Sequence, residues 1–256
     1  MEATLADLVF WIFIMARFSG MVLFNSIFGR ANIPAMFQAG LVVVLTVLTA
    51  STLPAPPMPY QTWVAIALSI GREFLIGFTL GYFINAVMSL LMLAGELLDL
   101  QMGIAMAKMY DPSSNVNMPV IGSVFNAMFL LLFFISNAHL TFLQIVISSF
   151  QVAPVGVWTF GADLPLHAVA FFGSIITLAA KMALPLIVIH LMTEVAIGII
   201  MKAIPQINVF VLNIELKMII GYVVLFVLTP SYSGFLDGVL DMLLRNLSGV
   251  LELFRA

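Results

Sequence analysis

The sequence predicts an all-α membrane-associated protein of long, kinked helices and helical hairpins, and two observations carry that expectation. Of its 256 residues, 63% are hydrophobic and 8% are charged, against about 45–50% and about 25% in an ordinary soluble domain. The apolar residues also gather into six stretches that meet or approach the length of about 20 residues needed to cross about 30 Å of hydrocarbon. Nine Lys and Arg with twelve Asp and Glu cannot cover the exterior of a water-soluble globule of this size, which excludes a soluble enzyme. A net charge of −3, with the basic residues scattered singly, excludes nucleic-acid binding by phosphate neutralisation. Without Cys there is no disulfide, thiolate metal site or cysteine nucleophile.

The chain opens MEATLAD and runs directly into apolar sequence. With no basic region ahead of that stretch, the first segment is expected to stay in the mature protein rather than leave as a secretory signal. The first stretch runs from Leu5 to about Ile27 and is interrupted by Arg17; the second, Ala35 to Leu53, carries no charge. GRANIP between them reads as a turn, with Pro34 suited to the first position of a helix. PAPPMP (Pro54 to Pro59), four of whose six residues are proline, reads as a stiff external loop.

The third stretch, Trp63 to Gly95, contains Arg72 and Glu73, and the fourth, Pro119 to Phe150, has His139 as its one ionisable group. Helices of this length would measure about 50 Å, too long for a simple span. Each must tilt, fold as a hairpin, or leave the lipid wrapped in other protein. Asn126 and the cluster Ser136, Asn137, His139 are the expected bend points of the fourth. The fifth stretch, Ala168 to Met201, holds Lys181, Pro185, His190 and Glu194; the sixth, Val209 to Thr229, holds Glu215 and Lys217 and is expected to stop at Pro230. From Phe235 to Ala256, Asp237, Asp241, Arg245, Glu252 and Arg255 stand among leucines, the pattern of an amphipathic surface helix. The charge bias favours an external amino terminus and a cytoplasmic carboxyl terminus, hence an odd number of crossings. Six stretches conflict with that parity, and the lengths are the firmer guide: some stretches do not cross simply.

Ionisable groups inside such stretches cost at least about 2.5–3.5 kcal/mol each on insertion scales, so each needs a reason. The set is Arg17, Arg72, Glu73, Glu96, Asp99, Lys181, Glu194, Glu215 and Lys217. The structural reading pairs them with one another or with neighbouring subunits. The alternative, a proton or ion relay, suffers because the carboxylates do not follow one helical face, although Glu96 and Asp99 share one at i, i+3. His190 and Glu194, one turn apart, read as a satisfied polar pair rather than a metal site. No phosphate-binding glycine loop, zinc-protease helix or nucleophile elbow is present. No cofactor is expected. Gly77 and Gly81 form a G-x-x-x-G that permits close helix contact.

Seventeen Met is a marked excess. Met102, Met106, Met109, Met118 and Met128 bracket the one long polar interruption, MYDPSSNVNMP. Met is unbranched and polarizable, so a cluster of it can seal a gap and deform around varied contents, or simply fill a core. The loop has Asp-Pro and Ser-Ser turn chemistry and cannot face lipid. It must line an aqueous cavity, lie at the membrane surface or pack between subunits.

The run GELLDLQMGIAMAKMYDPSSNVNMPVIGSVFNAMFLLLFFISNAHLTFL (Gly95 to Leu143) resembles the central signature of the FliR family, the flagellar biosynthetic protein of the type III export gate. IPQINVFVLNIELKMIIGYVVL (Ile204 to Leu225) resembles that family's second signature. The likeness extends over essentially the whole chain. It implies one subunit beside several copies of FliP and FliQ homologues, with FlhB nearby, in a helical assembly at the mouth of an export channel of the bacterial inner membrane and flagellar basal body. It implies a conduit rather than a catalyst, passing unfolded flagellar proteins, with the equivalent subunit of virulence type III secretion or an ion or solute transporter as alternatives. The implied fold is a FliP-like portion over 1–165, a FliQ-like helical hairpin over 166–234 and the amphipathic tail over 235–256.

By position, the resemblance makes Lys108, Met109, Tyr110, Asp111, Pro112, Ser113, Ser114, Asn115, Val116, Asn117 and Met118 a plug loop in the closed pore. Met102, Met106 and Met109 become gasket neighbours. Arg72, Glu73, Glu96, Asp99, Lys181, Glu194, Glu215 and Lys217 are expected at subunit contacts.

Overall fold

A computed structural model describes residues 5–30, 32–53, 62–104, 119–156, 163–203 and 209–254. Those residues form seven α-helices and no strand. They are α1 (Leu5–Leu23), α2 (Ala35–Ala50), α3 (Trp63–Gln101), α4 (Val120–Ile135), α5 (Ala138–Val152), α6 (Leu164–Ala203) and α7 (Val209–Leu253). Three of them, α3, α6 and α7, are long and apolar enough to cross a membrane, and α4 with α5 adds a fourth crossing if that bent pair is one span. Six simple spans are therefore absent among the described residues, as the segment lengths had indicated. PAPPMP lies outside the described residues.

The fourth stretch breaks at the second of its two expected bend points, whereas Asn126 lies inside the continuous helix α4. Asn137, at φ 58° and ψ 18°, takes the left-handed conformation between α4 and α5, and the chain bends by 72° there. Asn is one of the few L residues that adopt this conformation readily. The third, fifth and sixth stretches are instead continuous helices of 39, 40 and 45 residues.

Pro230 does not end the last helix: α7 continues through it to Leu253. A proline removes one backbone donor but leaves the chain free to resume, and within an apolar helix nearby hydroxyls can re-satisfy freed carbonyls. The carbonyl that Pro230 leaves without an amide is that of Phe226; the neighbouring Thr229 Oγ1 donates to the Leu225 carbonyl at 2.9 Å. Pro185 is likewise internal to α6. The tail is thus the end of α7. Leu236, Leu240, Leu243, Leu247, Val250 and Phe254 form a buried stripe, while Asp237, Asp241, Arg245 and Glu252 are exposed. The amphipathic pattern is present, but its apolar side is covered by the protein itself instead of lying on a membrane surface.

The chain divides into two compact units. The first comprises Met1–Val87, Ser136–Phe171 and Asp241–Ala256. In it α1 meets α3 almost backbone to backbone: a Cβ on Gly77 would stand 1.8 Å from the Arg17 carbonyl oxygen, and one on Gly81 2.6 Å from that of Met21. Gly20 answers from α1, where a Cβ would fall 2.2 Å from the Phe74 carbonyl oxygen. The G-x-x-x-G of α3 is therefore a close-packing face, as expected of small residues in apolar helices. Phe13, Phe18, Phe83 and Phe142 fill the core around it. The second unit comprises Met88–Ile135 and Phe172–Leu240, and its α3 and α4 approach through Gly95 and Gly122.

Candidate functional site

The strongest polar constellation lies in the first unit and centres on Arg17. This residue, fully buried on α1, donates from Nε to Glu73 Oε2 at 2.8 Å, from Nη1 to Ser149 Oγ at 3.0 Å and from Nη2 to the Ala153 carbonyl at 2.9 Å. Its guanidinium carbon sits 4.0 Å from the Phe150 ring centroid, within cation–π range. Glu73, also fully buried, accepts the Gly156 amide at 2.9 Å on its second oxygen. A planar guanidinium with a fixed fork of donors suits such a site. Because both charges are dry, their value lies in mutual satisfaction: a buried pair adds little net stability, but removing one partner leaves a strongly unfavourable charge. The closeness of α1 to α3 at Gly77 is what brings the two side chains together.

The carboxylates of α3 behave differently although they share a face. Asp99 is buried and accepts the amides of Val120 at 2.7 Å and Ile121 at 3.1 Å. Those are the first residues of α4, so Asp99 supplies the acceptor that the free donors at a helix start require. Glu96 is exposed. In the second unit Lys217 of α7 pairs with Glu194 of α6, with side-chain exposures of 13% and 44%. Arg72, Lys181 and Glu215 are exposed on the described surface.

The eight charges expected at subunit contacts thus fall into two groups. Glu73 and Asp99 are satisfied inside this chain, and Glu194 and Lys217 have each other. Arg72, Glu96, Lys181 and Glu215 point outward. His190 does not pair with Glu194 as expected: neither ring nitrogen has a partner among the described residues, because Lys217 holds the Glu194 carboxylate. Met102 is fully buried, and a Cβ on Gly221 would stand 2.6 Å from its Cε, so it lies across the α7 backbone. Met106, Met109 and the whole Lys108–Met118 loop fall outside the described residues.

Sequence reasoning named Arg17 and Glu73 separately but missed the pairing and its partners Ser149, Ala153, Phe150 and Gly156. The groups are 56 to 136 positions apart, so no local pattern joins them. Among the described residues no group of three or more His, Asp or Glu could hold a metal. Among the described residues, a hollow of about 170 Å³ is lined by Phe83, His167, Arg245 and Asn246, and one of about 140 Å³ by Lys181, Pro185, Leu228 and Tyr232. The arrangement binds charge and orders helices.

Residues 8–243 match the sequence family described as bacterial export proteins, family 1. The chain belongs to that family. Among curated relatives, this export protein is 29% identical over 252 residues to the flagellar biosynthetic protein FliR of Escherichia coli strain K12, covering 96% of the chain and 93% of that protein. It is 27% identical over 246 residues to the FliR of Bacillus subtilis strain 168, with 95% of each covered. The FliR of Pectobacterium carotovorum is 28% identical over 242 residues, covering 94% and 92%. In this export-family protein the Arg17 cluster ties α1 to α3 and to the end of α5 within the chain.

Proposed function

We propose that this export-family chain is a subunit of the flagellar type III protein export gate. It would lie in the bacterial inner membrane at the flagellar basal body, beside FliP and FliQ homologues and near FlhB. The observation that carries this reading is the match over nearly the whole chain to the export family, together with relatives whose names are flagellar. The surface of the helices supports it. Residues in the apolar window of α3 are 61% buried, whereas those in α6 and α7 are only 22% and 17% buried. Phe226, Leu166, Met192 and Ile199 are at least two-thirds exposed, and charges stand among them. Pure lipid does not favour Lys181 and Glu215, so much of this surface is suited to other subunits.

The protein acts as a conduit in this reading. Unfolded flagellar proteins pass a narrow, deformable channel, and the Lys108–Met118 loop closes it by excluding water and ions. In cells from which the chain is deleted, flagellar filaments and secreted flagellin should be absent while cytoplasmic flagellin persists, and supplying the chain should restore both. Export at the normal rate in the deletion strain would end the proposal.

A further inference from the structure

We propose that His190 is a proton-binding site whose occupancy is exchanged with the Glu194–Lys217 ion pair. His190 is fully buried in α6, and neither ring nitrogen has a hydrogen-bond partner among the described residues. An unpaired polar group is unfavourable in such a place and marks a function by default when it is ionisable and inside a membrane helix. Glu194 follows one turn later on the same face. Its carboxylate is held by Lys217 from α7. Of those two charged groups, one stands on the residue's own helix and one on the helix joined to it by the ion pair. Pro185, five residues earlier, deprives α6 of one backbone hydrogen bond, to the Lys181 carbonyl, so the helix is weakened beside the site.

The neutral imidazole has one N–H and one free lone pair. A proton from water binds the lone pair and gives the imidazolium. The Glu194 carboxylate leaves the Lys217 ammonium and accepts the imidazolium N–H, and Lys217, already part-exposed, is released to water or to a neighbouring subunit. Loss of the proton reverses the exchange. One N–H bond forms and breaks, and no other covalent change is needed. The use of this exchange in export rests on the conduit reading; the binding of the proton does not.

The test is a titration of the full-length protein in its complex, carrying isotope-labelled histidine and followed by NMR from about pH 8 to about pH 5. One imidazole resonance should move on acidification and be missing in His190→Gln. Its midpoint should shift to lower pH in Glu194→Gln, which removes the carboxylate that stabilises the imidazolium, and to higher pH in Lys217→Met, which frees that carboxylate. A His190 ring that stays neutral throughout overturns the proposal. In cells, His190→Leu keeps the site apolar and would be harmless if the histidine were only filling. With the complex assembled, export should instead fall at least about tenfold, the consequence of losing a working ionisable group within a membrane helix. Wild-type export by His190→Leu, in a strain where deletion of the chain abolishes export, also overturns it. Where His190→Leu fails to assemble, the wild-type titration decides. Failure of the conduit reading would show separately, as normal export in the deletion strain.

Discussion

Replacing Arg17 with alanine is expected to stop the protein from accumulating. The substitution strands the Glu73 carboxylate, fully buried, with only the Gly156 amide to bond. It also leaves the Ser149 hydroxyl and the Ala153 carbonyl without their guanidinium. Breaking a buried pair from one side costs about 3–5 kcal/mol, a large share of the about 5–15 kcal/mol by which native proteins are stable. Immunoblotting of membranes should show little protein, and any complex recovered should melt well below wild type. Glu73→Gln alone should be milder, because the neutral amide can still accept from Arg17. Arg17→Met combined with Glu73→Gln should recover part of the level lost in Arg17→Ala, since no charge is stranded; recovery stays partial because Ser149 and Ala153 have lost a donor. Normal levels of Arg17→Ala would mean that Glu73 finds another cation, and the ion pair would not be the tie between α1 and α3.

Deleting Asp111 to Asn117 is expected to act in the opposite way, sparing assembly and removing closure. The segment carries the turn chemistry of an isolated loop, and the packing glycines, the Arg17 cluster and the Glu194–Lys217 pair all lie elsewhere. If the loop plugs the pore, its loss leaves an open aqueous path, so small ions should leak across the membrane at rest. The readout is conductance of the assembled complex in a planar bilayer, alongside collapse of the membrane potential in cells. An assembled complex with wild-type conductance would remove the plug role from this loop.

Much of the helical plan was legible in the residues, because the bilayer sets one length scale and these segments exceed it. A run from Trp63 that stays apolar past Arg72 and Glu73 could only be an overlong helix or a hairpin. The break at Asn137 was legible because Ser-Asn beside His interrupts an otherwise apolar run, and Asn tolerates the left-handed conformation. Pro230 misled: a proline removes one backbone amide donor without forbidding the helix to resume, and α7 runs through it to Leu253. The charges were legible as anomalies but not as partners. Arg17 and Glu73 meet only because Gly20, Gly77 and Gly81 draw α1 against α3. Asp99 was grouped with Glu96 by their shared face, yet it sits at the start of α4, a position set by the tertiary approach of Gly95 to Gly122. His190 was read with Glu194 from spacing alone, and spacing could not show that Lys217, from the other helix, takes the carboxylate.

The central claim is that this chain works as one subunit of a larger export gate, and the size of the particle it forms in detergent tests that most directly. A tagged chain expressed from its own locus and purified under mild conditions should emerge in a complex several times its own mass, with FliP and FliQ homologues co-purifying in greater copy number than the tagged chain. Arg72, Glu96, Lys181 and Glu215 should become protected from surface labelling in that particle. A stable, monodisperse monomer or dimer with no such companions would contradict the account.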